Sequence, residues 1–259
     1  GQALLGGLLE DKEANPGRIA VTSKRPEKAA EIARRLGVRA ASSNVDAVAA
    51  AELVILAVKP QILPKVLEEI RGKAPAALYL SVAAGISTER IENALGGTAR
   101  VIRAMPNTPA LIGRGMSALF ARKAVDALER KRVEQLMAPT GEMLWVDEES
   151  LLDAVTALSG SGPAYVFYFL EAMTRAGTSM GLSQAQAHQL AVGTFAGAAE
   201  LARQSDEAPA VLRQRVTSKG GTTHAAIESM EHAGVADALV QAIEAAQQRA
   251  HELGDEFGT

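Results

Sequence analysis

The chain holds no cysteine in 259 residues, which excludes disulfides, thiolate nucleophiles and cysteine-held zinc, and makes a reducing cytoplasm the expected location. Aromatic side chains make up only 3% of it, and no block of basic charge occurs: 27 basic and 30 acidic residues are dispersed to a net charge of −3. A nucleic-acid surface or a polybasic membrane patch needs clustered Lys and Arg, so no nucleic acid or membrane is expected as a partner. Small molecules and a second copy of the chain remain. Long apolar runs are missing as well. The most apolar stretch, GPAYVFYFLEAM at 162–173, is too short to cross a bilayer and carries Glu171, and no charged-then-apolar leader opens the chain. The histidines (His188, His224, His232 and His251) lack the spacing of metal ligands, and no metal is expected.

What is there is a chain with 47% hydrophobic residues, long enough for two ordinary domains. GQALLGGLLE reads as a helix from its first residue with no strand before it, as though the opening strand of a domain were missing. Short β-rich runs then alternate with helical segments: RIAVTS (18–23), ELVILAV (52–58), ALYLSVAAG (77–85) and ARVIRAM (99–105). Apolar runs separated by helices predict parallel strands covered on both faces, a doubly wound α/β sheet. GMSALFA and EMLWV, either side of DALERKRVEQLM, can complete its edge. After DEES at 147–150 the patterns turn helical and Ala-, Leu- and Gln-rich, without a convincing strand. The expected division is a dinucleotide-binding domain over 1–147 and an all-α domain over 148–259.

Candidate chemistry gathers where strands end. Gly1 fits the last glycine of a dinucleotide fingerprint, with the following helix aimed at a pyrophosphate, although one glycine is no fingerprint. About 20 residues on, an NAD-binding domain needs an acid for the adenosine ribose. Ser23, Lys24 and Arg25 stand there instead, offering a hydroxyl and two cations to a 2′-phosphate and favouring NADPH, with NADH possible; a solvated turn explains the same residues. AVKPQ (57–61) and AAG (83–85) close the next strands, where small residues let a cofactor approach the backbone. Lys59 there suits a phosphate or substrate, or simply solvent. In AMPNTPA (104–110) two prolines stiffen a loop whose Asn107 amide can meet a nicotinamide carboxamide. LSGSGPAYVF (158–167) lets one helix break and another begin at Pro163. VTSKGGTT (216–223) places a glycine pair and hydroxyls at a helix start, a neutral cradle for one carboxylate or phosphate. It is a poor phosphate-binding P-loop, because no strand precedes it and Lys219 stands before both glycines.

Taken together, AVKPQ, LSVAAG, VIRAMPNTPA, LSGSGPAYVF and VTSKGGTT resemble pyrroline-5-carboxylate reductase in order and spacing over nearly the whole chain. The resemblance implies an N-terminal Rossmann-like domain and an all-α C-terminal dimerisation domain that interleaves with its twin into a homodimer or higher homo-oligomer. It implies NAD(P)H-dependent reduction of a cyclic imine, 1-pyrroline-5-carboxylate, to L-proline, the last step of proline biosynthesis. By motif position, Ser23, Lys24 and Arg25 would meet the ribose phosphate and Asn44 the adenosine, while Ala57, Lys59 and Pro60 line the cofactor cleft. Met105, Asn107 and Pro109 would lie near the nicotinamide, and Ser218, Gly220, Gly221, Thr222 and Thr223 would bind substrate, with Thr223 as the catalytic contact. There are two departures. Of the family's opening strand and its loop resembling GxGNMG only the final Gly1 stands here, and Lys219 occupies a position where many members have proline. A β-hydroxyacid dehydrogenase of similar plan would use a Lys in the first helix of the α domain, but no Lys occurs between 150 and 218. A noncatalytic dinucleotide sensor would have no use for a second anion cradle.

Overall fold

The computed structural model describes residues 1–10, 15–97 and 99–258, with the side chains of 2, 3, 10, 257 and 258 left aside. Two compact units form: the first comprises Gly1–Ser161 and Ala246–Thr259, the second Gly162–Ala245.

The first unit runs α1 (Gln2–Glu10), β1 (Ala20–Val21), α2 (Pro26–Leu36), β2 (Arg39–Ala40), α3 (Asn44–Val48), β3 (Leu53–Leu56), α4 (Leu63–Ile70), β4 (Leu78–Ser81), α5 (Thr88–Leu95) and β5 (Arg100–Met105). It continues through β6 (Gly115–Ala121), α6 (Ala127–Met137), β7 (Gly141–Trp145) and α7 (Leu151–Val155). Strands β3 to β7 form one sheet in sequence order, and β1 pairs with β2 in a separate parallel sheet. The alternation of side chains along a strand explains the two-sided burial. On β4, Tyr79 joins one apolar cluster with Leu63, Leu67, Ile70, Ile91 and Val101, while Leu78 and Leu80 join the opposite one with Ile102, Leu119, Val133 and Met137. Helices α4 and α5 thus cover one face, α6 and Leu4 of α1 the other, as the uniformly apolar runs foretold.

β3, β4 and β5 are parallel, but β6 lies antiparallel to β5. A parallel return needs a crossover of about a dozen residues or more, and the chain between Met105 and Gly115 is shorter and bends through one 3₁₀ turn, Thr108–Ile112. β7 then pairs parallel with β6 after the α6 crossover. A capping box starts α6: Asp126 accepts from Glu129 N–H and the Glu129 carboxylate accepts from Asp126 N–H.

After α7 the chain makes one π-helical turn, Thr156–Gly160, closed by Ser161 N–H donating to the Thr156 carbonyl at 2.8 Å. The second unit follows with α8 (Gly162–Ser179), α9 (Gln184–Arg203), α10 (Pro209–Arg215), α11 (Thr222–His232) and the first part of α12 (Val235–Gly258), whose last turns belong to the first unit. Helices α8 and α9 pack through small residues, with Ala187 and Ala191 buried. The large apolar side chains lie outside: Phe167, Tyr168, Leu190 and Leu201 are each more than half exposed. Among the described residues no helix is long and apolar enough to cross a membrane.

Candidate active site

In the first unit the carboxyl ends of the strands carry the expected cofactor residues. Gly1, before α1, lies directly against Ala57, which follows β3; a Cβ on Gly1 would come within 3.0 Å of the Ala57 side chain. The free N–H groups of α1 therefore begin beside the end of β3, the arrangement that favours a phosphate. Lys59 is extended (φ −62, ψ 145), as a residue before proline must be, and Pro60 opens a 3₁₀ turn. The Lys59 side chain is exposed.

At the end of β1, the Arg25 N–H donates to the Ser23 hydroxyl at 3.3 Å, turning the chain into α2. Lys24 and Arg25 are exposed, and neither forms an ion pair with a described residue. Asn44 is tied on both sides: its Oδ1 accepts from the Thr22 hydroxyl and its Nδ2 donates to the Glu69 carboxylate, each at 2.7 Å. At the other ends of the same strands, Arg18 before β1 meets Glu52 before β3 at 2.7 Å. Neighbouring Asp46 accepts from the Ser42 N–H and hydroxyl and from Arg39, and these bonds, the Ser42 N–H first, hold its carboxyl below the usual range.

Around the loop after β4, Glu149 accepts from the Thr88 N–H at 2.8 Å, the Thr88 hydroxyl at 2.6 Å and Arg103 Nη1 at 3.1 Å. The sequence reading named none of these three, and no local pattern announces a carboxylate 61 residues from the helix start it closes on.

Asn107 sits two residues past the last β5–β6 pair, Met105 with Ala118. Pro106 has no N–H, so the ladder stops there and the Asn107 side chain takes over. Its Oδ1 accepts from Met116 N–H at 2.9 Å, and its Nδ2 donates to the Ser159 carbonyl at 3.3 Å and hydroxyl at 3.2 Å. Met105 packs with its terminal methyl against Gly160. Pro109 is half-buried in the 3₁₀ turn.

In the second unit the expected substrate residues form one continuous turn. Gly221 N–H donates to the Ser218 carbonyl at 3.0 Å, with Lys219 and Gly220 at the corners. Gly220 has φ +74, the left-handed backbone that a type II turn requires at its third residue and that glycine adopts without strain. Gly221 is the residue before α11 and has no side chain to cap it. The N–H groups of Thr222, Thr223 and His224 thus point out of a helix start with no capping partner among the described residues, while Ala225 N–H makes the first helical bond, to the Gly221 carbonyl. Thr222 and Thr223 bring two hydroxyls to that end. His224 turns the other way, toward Glu228, at 3.8 Å. A groove of about 760 Å³ in this unit lies between α8 and α9 instead, lined by Phe167, Leu170, Glu171, Arg175 and His188 among others.

Residues 149–253 match the family model described as pyrroline-5-carboxylate reductase dimerisation, and residues 1–85 match one described as NADP oxidoreductase coenzyme F420-dependent. Pyrroline-5-carboxylate reductase of Pseudomonas aeruginosa is 42% identical over 257 residues, covering 99% of this chain and 94% of its own. Among solved structures, that of a pyrroline-5-carboxylate reductase from Coxiella burnetii superposes with TM-score 0.90 at 36% identity, over 97% of this chain and 94% of that one. The pyrroline carboxylate reductase of Plasmodium falciparum with NADP bound gives TM-score 0.88 at 27% identity, over 98% and 94%. With relatives this similar along almost its whole length, the chain belongs to the pyrroline-5-carboxylate reductase family.

Proposed function

We propose that this chain reduces 1-pyrroline-5-carboxylate to L-proline, the last step of proline biosynthesis, using NADPH in preference to NADH in a reducing cytoplasm. The observation that carries the reading is the uncapped start of α11 behind the Ser218–Gly221 turn, in a chain 42% identical to a named reductase. Three N–H groups and two hydroxyls converge there without a partner among the described residues, which suits one small carboxylate.

The residues of the first unit fit a dinucleotide. At Gly1 a Cβ would press on Ala57 at 3.0 Å, so glycine is the residue that fits best beside the pyrophosphate position. Lys24 and Arg25 are exposed cations without an acid partner among the described residues, a donor set for a 2′-phosphate that an NAD-type acidic residue would repel. Asn44 would face the adenosine, Ala57, Lys59 and Pro60 the cleft, and Met105, Asn107 and Pro109 the nicotinamide end. Residues 1–147 serve the cofactor in this reading, and 148–259 serve substrate and self-association.

A reduced nicotinamide supplies the hydride when bound. The protein's part is placement. The α11 N–H groups hold the substrate carboxylate, and the Thr223 hydroxyl accepts from the protonated ring nitrogen, fixing the imine carbon for attack. A protonated imine is already a strong electrophile, so holding it in line can supply most of the acceleration without an acid–base pair. Self-association as a homodimer or a larger homo-oligomer accounts for the exposed Phe167, Tyr168, Leu190 and Leu201 in the segment that matches a dimerisation family. The test is oxidation of NADPH and of NADH by the purified chain with pyrroline-5-carboxylate. Oxidation faster with NADPH is expected, and no oxidation of either would refute the reading.

A further inference from the structure

The Asn107 amide offered a partner for the cofactor's carboxamide, yet the fold already uses it. Both N–H bonds of its Nδ2 go to Ser159, one to the carbonyl and one to the hydroxyl, and its Oδ1 holds Met116 N–H. The Ser159 hydroxyl in turn donates toward the Met116 carbonyl at 3.5 Å, so Asn107, Met116 and Ser159 close a ring of hydrogen bonds. Each corner comes from a different part of the chain: the loop after β5, strand β6 and the π turn. Ser159 lies within the π turn, and Pro163, four residues on, has no N–H to offer its carbonyl; single π turns of this kind concentrate at working sites of proteins. The neighbouring residue, Gly160, receives the Met105 methyl so closely that a Cβ there would stand 2.6 Å from it.

We infer that Asn107 is a positioning residue that acts through Ser159 and Met116 to fix the backbone of Met105–Pro109 against the π turn, rather than a group that grips the cofactor. The inference rests on the reading of Met105 and Pro109 as lining the nicotinamide end of the cleft. Ser159 is thereby a determinant of that end's shape.

A double-mutant cycle separates the two roles, read as NADPH affinity by fluorescence titration without imine, and as kcat with it. The variants are Asn107→Ala, Ser159→Ala and both together in the full chain. For a brace, each single change weakens NADPH binding or turnover by about three- to tenfold, the scale of one lost hydrogen bond, and the double change is little worse than either. Direct contact gives a large loss for Asn107→Ala, almost none for Ser159→Ala, and effects that multiply; that result overturns the inference. So do a lowered melting temperature with unchanged affinity and kcat, which would leave the ring merely structural. Should Asn107→Ala fail to fold, Ser159→Ala decides alone, since unchanged affinity and kcat there contradict the brace. A wild-type chain that binds NADPH but reduces no imine would refute the proposed reaction while leaving the affinity cycle readable.

Discussion

Glu149 closes on the first turn of α5 through both polar groups of Thr88, Oε1 accepting from the N–H at 2.8 Å and Oε2 from the hydroxyl at 2.6 Å, while Oε1 also accepts from Arg103 at 3.1 Å. The contact places a negative charge at a helix start and pairs it with a guanidinium whose side chain is only 7% exposed. It joins the segment before α7 to the start of α5 and to the middle of β5.

Removing that carboxylate leaves a buried cation and an unanswered N–H. Glu149→Ala is expected to destabilise the first unit by about 3 kcal/mol, read from the urea midpoint, and Glu149→Gln, which keeps an acceptor for Thr88, by clearly less. Equal losses would show that the charge on Glu149 contributes nothing.

The Ser218–Gly221 turn predicts its own improvement. Lys219 occupies the second position of a turn with a left-handed third residue, where proline is favoured because its fixed φ suits the bend. Lys219→Pro is expected to raise stability by roughly 0.4–1 kcal/mol by restricting the unfolded chain, seen as a higher melting temperature. A lower one would mean that the Lys219 backbone is not in the type II conformation.

Acid sensitivity has an identifiable contributor at Asp46. Its carboxyl is held below its ordinary value of 3.8 by the Ser42 N–H, Arg39 and the Ser42 hydroxyl. A depressed folded value means that the stabilisation is complete above the unfolded value and disappears as pH falls through the folded one. Asp46→Asn is therefore expected to be less stable than wild type at neutral pH and to converge with it as pH falls through the lowered folded value, where the aspartate too becomes protonated. A stability gap that persists undiminished at pH 2 would assign the loss to geometry instead of charge.

Cofactor choice is expected to follow Lys24 and Arg25. Replacing both with Ala should raise the KM for NADPH roughly tenfold or more, the cost of losing charge-assisted contacts, and leave the KM for NADH nearly unchanged. Parallel rises for both cofactors would place these cations away from the 2′-phosphate.

The sequence was most legible where burial dictates pattern. The runs at 52–58, 77–85 and 99–105 had to be strands, because helices cover both faces of β3, β4 and β5. Arg39–Ala40, by contrast, is a strand made only by backbone pairing with β1; both residues are exposed, so no apolar alternation marks it. The reversal of β6 was likewise hidden in a connection length rather than in GMSALFA itself. In the site, local chemistry was readable and long-range chemistry was not. The glycine pair at 220 and 221 announced a turn into a helix, and that turn is present, but the neighbouring hydroxyls do not cap the helix, because Gly221 itself takes the position before α11. Nothing near Asn107 or Asn44 told that Ser159 and Glu69, from distant segments, hold their amides.

The central claim is that the start of α11 seats the imine, with Thr223 at its ring nitrogen, and Thr223→Ala tests it most directly. Steady-state turnover of pyrroline-5-carboxylate is expected to fall roughly tenfold or more, while NADPH affinity measured without imine stays at the wild-type value. Unchanged turnover, or a loss confined to NADPH affinity, would contradict it.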